Sequence, residues 1–278
     1  MNGRICMITG ANSGIGKATA VGLAKMGATL VMVCRDGNRG EKALAEIKQK
    51  SDNDDIHLML ADFASLAQVR QLNSDFRERF SQLHVLINNA GIITQKRTLT
   101  EDGFETQFQV NHLAHFLLTN LLLDVLKGSA PSRIINVSSE AHHGVRLNFD
   151  NLQTERNYRP SRVYSKTKLA NVLFTYELAR RLEDTGVTVN CLHPGVIATK
   201  LLANYMGMPK PLRFSSNLMG GTPEKGAQTP IYLATSPDVE ELTGKYVVNL
   251  KQTPSSDESY DETSAKRLWE ISEQLTGL

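Results

Sequence analysis

The stretch Thr9-Gly10-Ala11-Asn12-Ser13-Gly14-Ile15-Gly16 lies between a β-branched run and an amphipathic segment. Glycines at this spacing, at a strand–turn–helix junction, are typical of a dinucleotide-binding turn. Gly10 would allow a tight exit from the strand, Gly14 the approach of backbone to a pyrophosphate, and Gly16 close packing of helix on sheet. Free N–H groups in the first helical turn would face the phosphates. A purely structural glycine turn is the alternative interpretation of this motif taken alone.

Strand-like runs alternate with helical patterns on both sides of this turn. The predicted strands are Ile5–Thr9, Thr29–Cys34, Ile56–Leu60, Val85–Asn88, Ile134–Val137, Thr188–Leu192 and Tyr246–Leu250. The predicted helices include Ile15–Lys25, Arg39–Lys50, Leu66–Phe80, Thr106–Lys127 and a closing helix, Asp261–Leu275. This alternation predicts a Rossmann-type, doubly wound α/β fold: a seven-stranded, mainly parallel sheet with helices on both faces. Ligands would bind at the carboxyl edge of the sheet.

Composition narrows the classes of protein and partner. The 278 residues, 41% hydrophobic and 22% charged, fit one domain spanning residues 1–278. The 31 basic and 29 acidic residues are dispersed, so we expect no nucleic-acid partner. The three cysteines lie in apolar runs without a CxxC pair, which is typical of a reducing compartment. Without a long hydrophobic stretch, we expect a cytoplasmic protein with no integral membrane segment.

Two further regions bear on substrate access and assembly. Residues 201–222 mix apolar side chains with glycine, proline and serine, which predicts a substrate lid. A loop packed on a neighbouring subunit is the alternative. The apolar faces of Phe108–Leu126 and Val163–Leu182 would either pair in a homo-oligomer or cover the sheet.

The end of the second strand indicates which nicotinamide cofactor would bind. An NAD site commonly places an acidic residue there against the ribose hydroxyls, but this chain has Cys34. Arg35 and the nearby Arg39 offer planar cations suited to a 2′-phosphate, so the sequence predicts NADP(H). An ordinary turn with solvated charges is the alternative. Asp62, just past the third strand, would accept a hydrogen bond from the adenine amino group or act as a helix N-cap.

Tyr164 and Lys168 are four residues apart in a helical segment and therefore share one helix face. A nearby ammonium favours the phenolate, so Lys168 would tune Tyr164 as an acid/base and also hold ribose hydroxyls. Ser139 closes a predicted strand at the carboxyl edge and would bind the substrate oxygen. Asn111 would hold a water near Lys168 through its amide. Y-x-x-x-K by itself is a weak signal, and the combined pattern carries the prediction.

Histidines do not predict a metal site. His112 and His115 have helical spacing, but no third ligand follows at a recognisable distance, so packing roles are favoured. His142 and His143 would either line the pocket or form an exposed loop pair, and neither is assigned a catalytic role.

With these residues in order, the chain resembles the short-chain dehydrogenase/reductase family. The resemblance lies in T-G-x-x-x-G-I-G at Thr9–Gly16, N-N-A-G at Asn88–Gly91, Ser139, Tyr164 and Lys168. The stretches Ile134–His143 and Lys168–Phe174 are similar to the retinol dehydrogenase-like branch, as is Cys34-Arg35-Asp36. Members of that branch with this last pattern generally prefer NADP(H).

This resemblance implies a catalytic tetrad of Asn111, Ser139, Tyr164 and Lys168, with Tyr164 as the acid/base. It also implies that the cofactor contacts come from Gly10, Asn12, Ser13, Gly14, Ile15, Gly16, Arg35, Asp62, Asn89, Ala90, Gly91, Tyr164, Lys168, Pro194, Gly195 and Thr199.

The expected activity is NADP(H)-dependent interconversion of a small hydrophobic aldehyde or ketone, with retinal-like compounds included, and its alcohol. Two alternatives stay open within the enzymes, a quinone reductase and a steroid carbonyl reductase. A nicotinamide-binding regulator or scaffold without turnover is the alternative from another class of protein. The intact tetrad argues against that last interpretation, because a regulator would need neither Tyr164 nor Lys168.

Overall fold

A single sheet organises the chain. The computed structural model describes residues 1–197, 201, 205 and 221–278. The strands run in the order β3-β2-β1-β4-β5-β6-β7-β8, and every neighbouring pair is parallel except β7 and β8. Their bounds are β1 Ile5–Thr9, β2 Thr29–Cys34, β3 Ile56–Leu60, β4 Val85–Asn88, β5 Ser132–Val137, β6 Val187–His193, β7 Lys245–Val248 and β8 Lys251–Gln252.

Helices cover both faces of the sheet. Their bounds in the described part are α1 Gly14–Lys25, α2 Gly37–Ser51, α3 Leu66–Arg79, α4 Thr106–Phe108, α5 Ala114–Leu121, α6 Leu123–Gly128, α7 Pro160–Arg181, α8 Pro223–Thr235 and α9 Glu262–Thr276, with a π-helical stretch at Gln109–Leu113. The predicted doubly wound, mainly parallel α/β fold is confirmed.

Successive residues of the central strands pack their side chains into two separate apolar cores, one on each face of the sheet. Met7 and Leu86 belong to the core on one face, whereas Ile8 and Ile87 belong to the core on the other. All four are at most 1% exposed. Strands buried on both faces explain why these runs are continuously apolar in the sequence.

The sheet has eight strands where seven were predicted. The seventh ends at Val248 rather than Leu250, because Asn249 and Leu250 have φ values of +48° and +64°. That turn reverses the chain into the two-residue β8, which is too short to give a period-two pattern. The predicted Thr106–Lys127 helix is also interrupted, first by the π-helical stretch and then at Leu122, which has φ −100° and ψ 2°.

The closing helix α9 packs across the two apolar helix faces that the sequence left unassigned. The Trp269 ring centroid lies 4.9 Å from that of Phe116 and 5.8 Å from that of Phe174. Within one chain, these faces therefore cover the sheet and are themselves covered by α9. None of the helices in the described ranges is long and apolar enough to cross a membrane.

The strand order places the candidate site. The chain runs from β1 outward to β3 and then returns to β4 on the other side of β1. The carboxyl ends of β1 and β4 are thus adjacent where the direction of strand order reverses, and this is the position at which open α/β sheets bind ligands.

Candidate active site

The glycine turn forms a close-packed cradle between the ends of β1 and β4. Gly10 and Gly14 have φ values of +69° and +56°, in the left-handed region that glycine adopts without strain. A Cβ on Gly10 would lie 3.0 Å from the Ala90 Cα, and one on Gly16 would lie 2.5 Å from both the Gly10 oxygen and the Asn89 Nδ2. The turn therefore presents bare backbone, as a bound pyrophosphate requires.

The first turn of α1 keeps its backbone donors free of side-chain caps. Ser13 is the N-cap residue, and its hydroxyl makes no capping hydrogen bond. Asn12 and Ile15 flank it in the partly buried part of the turn. Uncapped N–H groups with the helix dipole behind them favour an anion, so these residues fit the phosphates of a dinucleotide.

Thr9, the last residue of β1, ties the cradle to the end of β4. Its Oγ1 accepts hydrogen bonds from the backbone N–H groups of Asn89 and Ala90, each at 2.9 Å. The Asn89 Nδ2 donates in return to the Thr9 carbonyl oxygen at 2.7 Å. These three bonds fix the N-N-A-G segment beside the glycine turn. Asn88 itself is structural, since its Nδ2 donates to Thr119 and Asn136 inside the core.

His115 connects Thr9 to Asn111. Its Nε2 lies 3.0 Å from the Thr9 Oγ1, and its Nδ1 lies 3.3 Å from the Asn111 carbonyl oxygen. Because a carbonyl only accepts, Nδ1 carries the proton and Nε2 accepts from the Thr9 hydroxyl. Burial lowers the pKa of His115 to about 3, which keeps the ring neutral. His112 likewise has a packing role, with its Nε2 3.0 Å from the Ser272 hydroxyl.

Asn111 is buried in the π-helical stretch and braces the backbone after Gly91. Its Oδ1 accepts from the Ile92 N–H at 2.8 Å, and its Nδ2 donates to the Ile92 carbonyl oxygen at 3.0 Å and to the Thr167 hydroxyl at 3.1 Å. Its predicted role in holding a water near Lys168 stays a prediction, and in the structure its hydrogen bonds run to the Ile92 backbone and the Thr167 hydroxyl. A Cβ on Gly91 would lie 3.5 Å from Asn111 Oδ1 and 3.7 Å from Lys168 Nζ.

Tyr164 and Lys168 lie one turn apart on α7 and are 6% and 3% exposed. The Lys168 Nζ donates to the Val137 carbonyl oxygen at 2.8 Å and lies 5.4 Å from the centroid of the Tyr164 ring. Burial lowers the pKa of Lys168 to about 8. Burial also raises the pKa of Tyr164, while its hydrogen bond with Ser139 acts in the opposite direction. At neutral pH the phenol is therefore protonated and able to donate.

Ser139 follows β5 at the same edge of the sheet. It is the N-cap of a short 3-10 turn, Glu140–His142, and its Oγ accepts from the Ala141 N–H at 3.2 Å. Its hydroxyl also hydrogen-bonds Tyr164. The two hydroxyls are thus side by side, as two groups that hold one carbonyl oxygen must be.

Two arginines, Arg35 and Arg39, follow the end of β2 beside the buried Cys34. The buried Cys34 thiol accepts hydrogen bonds from backbone at Ala11 and Asn12, and burial raises its pKa to about 11. Arg35 and Arg39 are both exposed, and neither forms an ion pair with a residue of the described ranges. Asp36 instead caps α2 by accepting from the Arg39 N–H at 2.9 Å.

Asp62 stands at the end of β3, and Ser65 rather than Asp62 is the N-cap of α3. Its Oδ1 accepts from the Ala64 N–H at 3.0 Å, and its own N–H donates to Gln68 at 2.9 Å. The carboxylate therefore shapes the turn that borders the predicted adenine position.

The turn after β6 lies beside the other strand ends. Gly195 has a φ of +90°, and Pro194 and Gly195 are partly buried. The predicted cofactor residue Thr199 lies outside the described residues. So does most of the predicted lid at 201–222, of which Leu201, Tyr205, Gly221 and Thr222 are described.

Comparison with known proteins identifies the family. The model for the short chain dehydrogenases matches residues 4–209. The chain belongs to the short-chain dehydrogenase family. It is accordingly an oxidoreductase of a family that uses nicotinamide cofactors.

Curated relatives place this short-chain dehydrogenase in the retinol dehydrogenase-like branch. Mouse retinol dehydrogenase 14 is 47% identical over 292 residues, covering 100% of this chain and 87% of the relative. Human retinol dehydrogenase 13 is 45% identical over 284 residues, covering 99% and 85%. The resemblance drawn from the sequence is confirmed.

Solved structures share the fold of this short-chain dehydrogenase. An uncharacterised protein from Mycobacterium paratuberculosis has 35% identity and a TM-score of 0.80, covering 99% of this chain and 94% of that one. RhlG of Pseudomonas aeruginosa, solved as an active-site complex with NADP, has 26% identity and a TM-score of 0.70, covering 89% and 95%.

Three side chains of this short-chain dehydrogenase support the site but were not among the predicted site residues. Thr9 belongs to the quoted motif, and its position at the strand exit was the available signal. His115 was assigned to packing, and His142 either to the pocket lining or to an exposed loop pair. Neither has a sequence pattern that indicates its distant partner, because His115 contacts the Thr9 hydroxyl across 106 residues and His142 accepts from the Ser256 N–H across 114.

Proposed function

We propose that the protein is an NADP(H)-dependent oxidoreductase that interconverts a hydrophobic carbonyl compound, an aldehyde or ketone of retinal-like character, and its alcohol. The observation that carries this proposal is the buried Tyr164 phenol, which is hydrogen-bonded to Ser139 and has the Lys168 ammonium 5.4 Å from its ring centroid. A proton donor, a second hydroxyl and a cation thus converge where β1, β4 and β5 end.

The preference for NADP(H) rests on charge at the end of β2. A 2′-phosphate needs cations and no competing carboxylate, and Cys34 with the exposed Arg35 and Arg39 meets both conditions. The NADP found in the Pseudomonas relative is consistent with this choice.

Each part of the site has a separate task in the proposed reaction. The nicotinamide supplies or accepts the hydride when it is bound. The Gly10–Gly16 backbone and Asn12, Ser13 and Ile15 would hold the phosphates, with Asp62 at the adenine and Lys168 at the ribose hydroxyls. The segments Asn89–Gly91 and Pro194-Gly195, with Thr199, would complete the cofactor contacts.

In the reductive direction, Ser139 and Tyr164 hydrogen-bond the carbonyl oxygen, and Tyr164 delivers the proton. Its raised pKa suits this role, because the phenol stays protonated until the developing alkoxide takes the proton. Lys168 then stabilises the phenolate that remains. Oxidation of the alcohol reverses these steps.

The hydrophobic character of the substrate rests on two side chains and on the names of the relatives. Val196, after the Pro194-Gly195 turn, is 59% exposed, and Tyr205, 38% exposed, has its ring centroid 5.7 Å from that of Tyr164. Apolar and aromatic walls of this kind favour an apolar substrate. The lid at 201–222, a homo-oligomer and a cytoplasmic location stay predictions from the sequence.

The test is NADPH oxidation with retinal, medium-chain aldehydes, quinones and ketosteroids, with NADH in parallel. Tyr164→Phe removes only the phenol oxygen, and Tyr232→Phe on α8 makes the same change away from the site. We expect NADPH-dependent turnover that falls about 10²–10⁴-fold in Tyr164→Phe, the usual contribution of a general acid, and not in Tyr232→Phe. Full activity of Tyr164→Phe would refute the assignment, and tight NADPH binding without any turnover would favour the regulator.

A further inference from the structure

His142 is fully buried directly behind Ser139. Its Nδ1 lies 2.7 Å from the Ser139 carbonyl oxygen, and its Nε2 accepts the backbone N–H of Ser256 at 3.0 Å. The neighbouring His143, by contrast, has a side chain that is 43% exposed. The two histidines that look alike in the sequence are therefore in different environments.

Both partners of the His142 ring are backbone groups whose roles are unambiguous. The Ser139 carbonyl can only accept, and the Ser256 N–H can only donate. One tautomer satisfies both, the neutral ring with the proton on Nδ1. A protonated ring would direct a second N–H at the Ser256 N–H and leave two buried donors facing each other.

We infer that His142 is a positioning residue: its neutral imidazole holds the Ser139 carbonyl and thereby fixes the Ser139 hydroxyl against Tyr164. The inference rests on the proposed function. It also gives the C-terminal segment a role in positioning Ser139, since Ser256 follows β8 in the chain.

The Ser256 side of this contact is held firmly. The Ser255 hydroxyl lies 2.7 Å from that of Tyr176 on α7 and 2.6 Å from that of Ser259, which donates to the Ser256 carbonyl oxygen at 2.6 Å. Ser255, Ser256 and Ser259 are at most 6% exposed. The Ser256 N–H is therefore held in a fixed position by its own segment, and it does not depend on the imidazole for that position.

Several titratable groups face the ring and affect its protonation. Burial lowers the pKa of His142 below 6.5, and the nearby His143 and His193 lower it further, while Glu140 raises it. The Tyr246 ring packs edge-on at 4.9 Å, and its hydroxyl donates to Glu140 at 2.9 Å. As pH falls through the pKa of His142, the proton breaks the Ser256 contact and releases the 3-10 turn. Activity should thus have an acid limb below pH 6.5.

Two substitutions of His142 test the hydrogen bonds at its Nδ1 and Nε2 separately. In His142→Asn the side-chain amide reaches the Nδ1 position and can still donate to the Ser139 carbonyl. In His142→Gln the longer amide reaches the Nε2 position and keeps only the Ser256 contact. The control is His143→Ala, at the exposed neighbour.

We expect His142→Gln to lower kcat for NADPH-dependent carbonyl reduction by about 10²-fold, the cost of a misplaced reacting group, with an unchanged Kd for NADPH. His142→Asn should keep kcat within a few-fold and lose the acid limb, and His143→Ala should keep the wild-type kcat at neutral pH. Equal kcat in His142→Asn and His142→Gln would overturn the inference, since a merely structural histidine would not distinguish them.

Nitrogen NMR of the imidazole gives a result independent of turnover. The expected signals are those of a neutral Nδ1–H ring that titrates below pH 6.5 in the wild type. An Nε2–H ring, or titration at or above 6.5, would overturn the inference even in an active enzyme. A wild type that reduces none of the carbonyls would instead refute the proposed function, while the NMR result would still decide the state of His142.

Discussion

Thr9→Val is the sharpest test of how the fold holds the candidate site. Valine has nearly the shape of threonine but lacks the hydroxyl that accepts from Asn89 and Ala90 and contacts His115. Thr9 is fully buried. The substitution therefore removes hydrogen bonds at the junction of β1 and β4 with little change in packing.

The magnitude follows from the two backbone N–H groups left without their acceptor. A buried donor that loses its partner costs about 1–3 kcal/mol. The N–H groups of Asn89 and Ala90 are partly buried, so water can replace some of the loss, and we expect the free energy of unfolding to fall by about 2–4 kcal/mol. A typical domain has about 5–15 kcal/mol, so the variant should still fold.

The assay is urea unfolding together with NADPH titration, with Thr9→Ser as the matched control. Serine keeps the hydroxyl and loses one methyl group, worth about 1 kcal/mol. We expect Thr9→Val to bind NADPH about tenfold more weakly, equivalent to about 1.4 kcal/mol, because Asn89–Gly91 loses its anchor. A Thr9→Val protein as stable as Thr9→Ser, with wild-type affinity for NADPH, would refute the reasoning.

Two further predictions concern the cradle and the buried histidines. Gly16→Ala places a Cβ 2.5 Å from the Gly10 oxygen and should weaken NADPH binding at least about tenfold, whereas Gly128→Ala, with nothing within 4 Å, should not; equal dissociation constants would contradict this. Burial lowers the pKa of His112 to about 4 and of His115 to about 3, so below the unfolded value of 6.5 the unfolded chain takes up protons that the folded chain refuses. The free energy of unfolding should therefore decrease as the pH is lowered, by about 1.4 kcal/mol for each ring at pH 5.5. Equal free energies of urea unfolding at pH 7.5 and 5.5 would contradict this prediction.

The sequence by itself determined the architecture and the catalytic candidates. Strands buried on both faces are continuous apolar runs in the sequence. In the helices that cover them, apolar residues recur every three to four positions, so both patterns can be recognised locally. The glycine turn at Gly10–Gly16 is local as well, because the glycine spacing at a strand–helix junction is visible in the sequence. Tyr164 and Lys168 could be paired from spacing alone, since one helical turn separates them.

Tertiary structure alone decided what holds those candidates in place. Thr9 meets Asn89 across 80 residues of sequence, and His142 meets Ser256 across 114. Neither distance has a period that a sequence can display, and in both cases one partner is a backbone group that any residue type provides. The tautomers of His115 and His142, and hence their roles, follow from the backbone groups that each ring contacts and from burial. Both exist only in the folded chain.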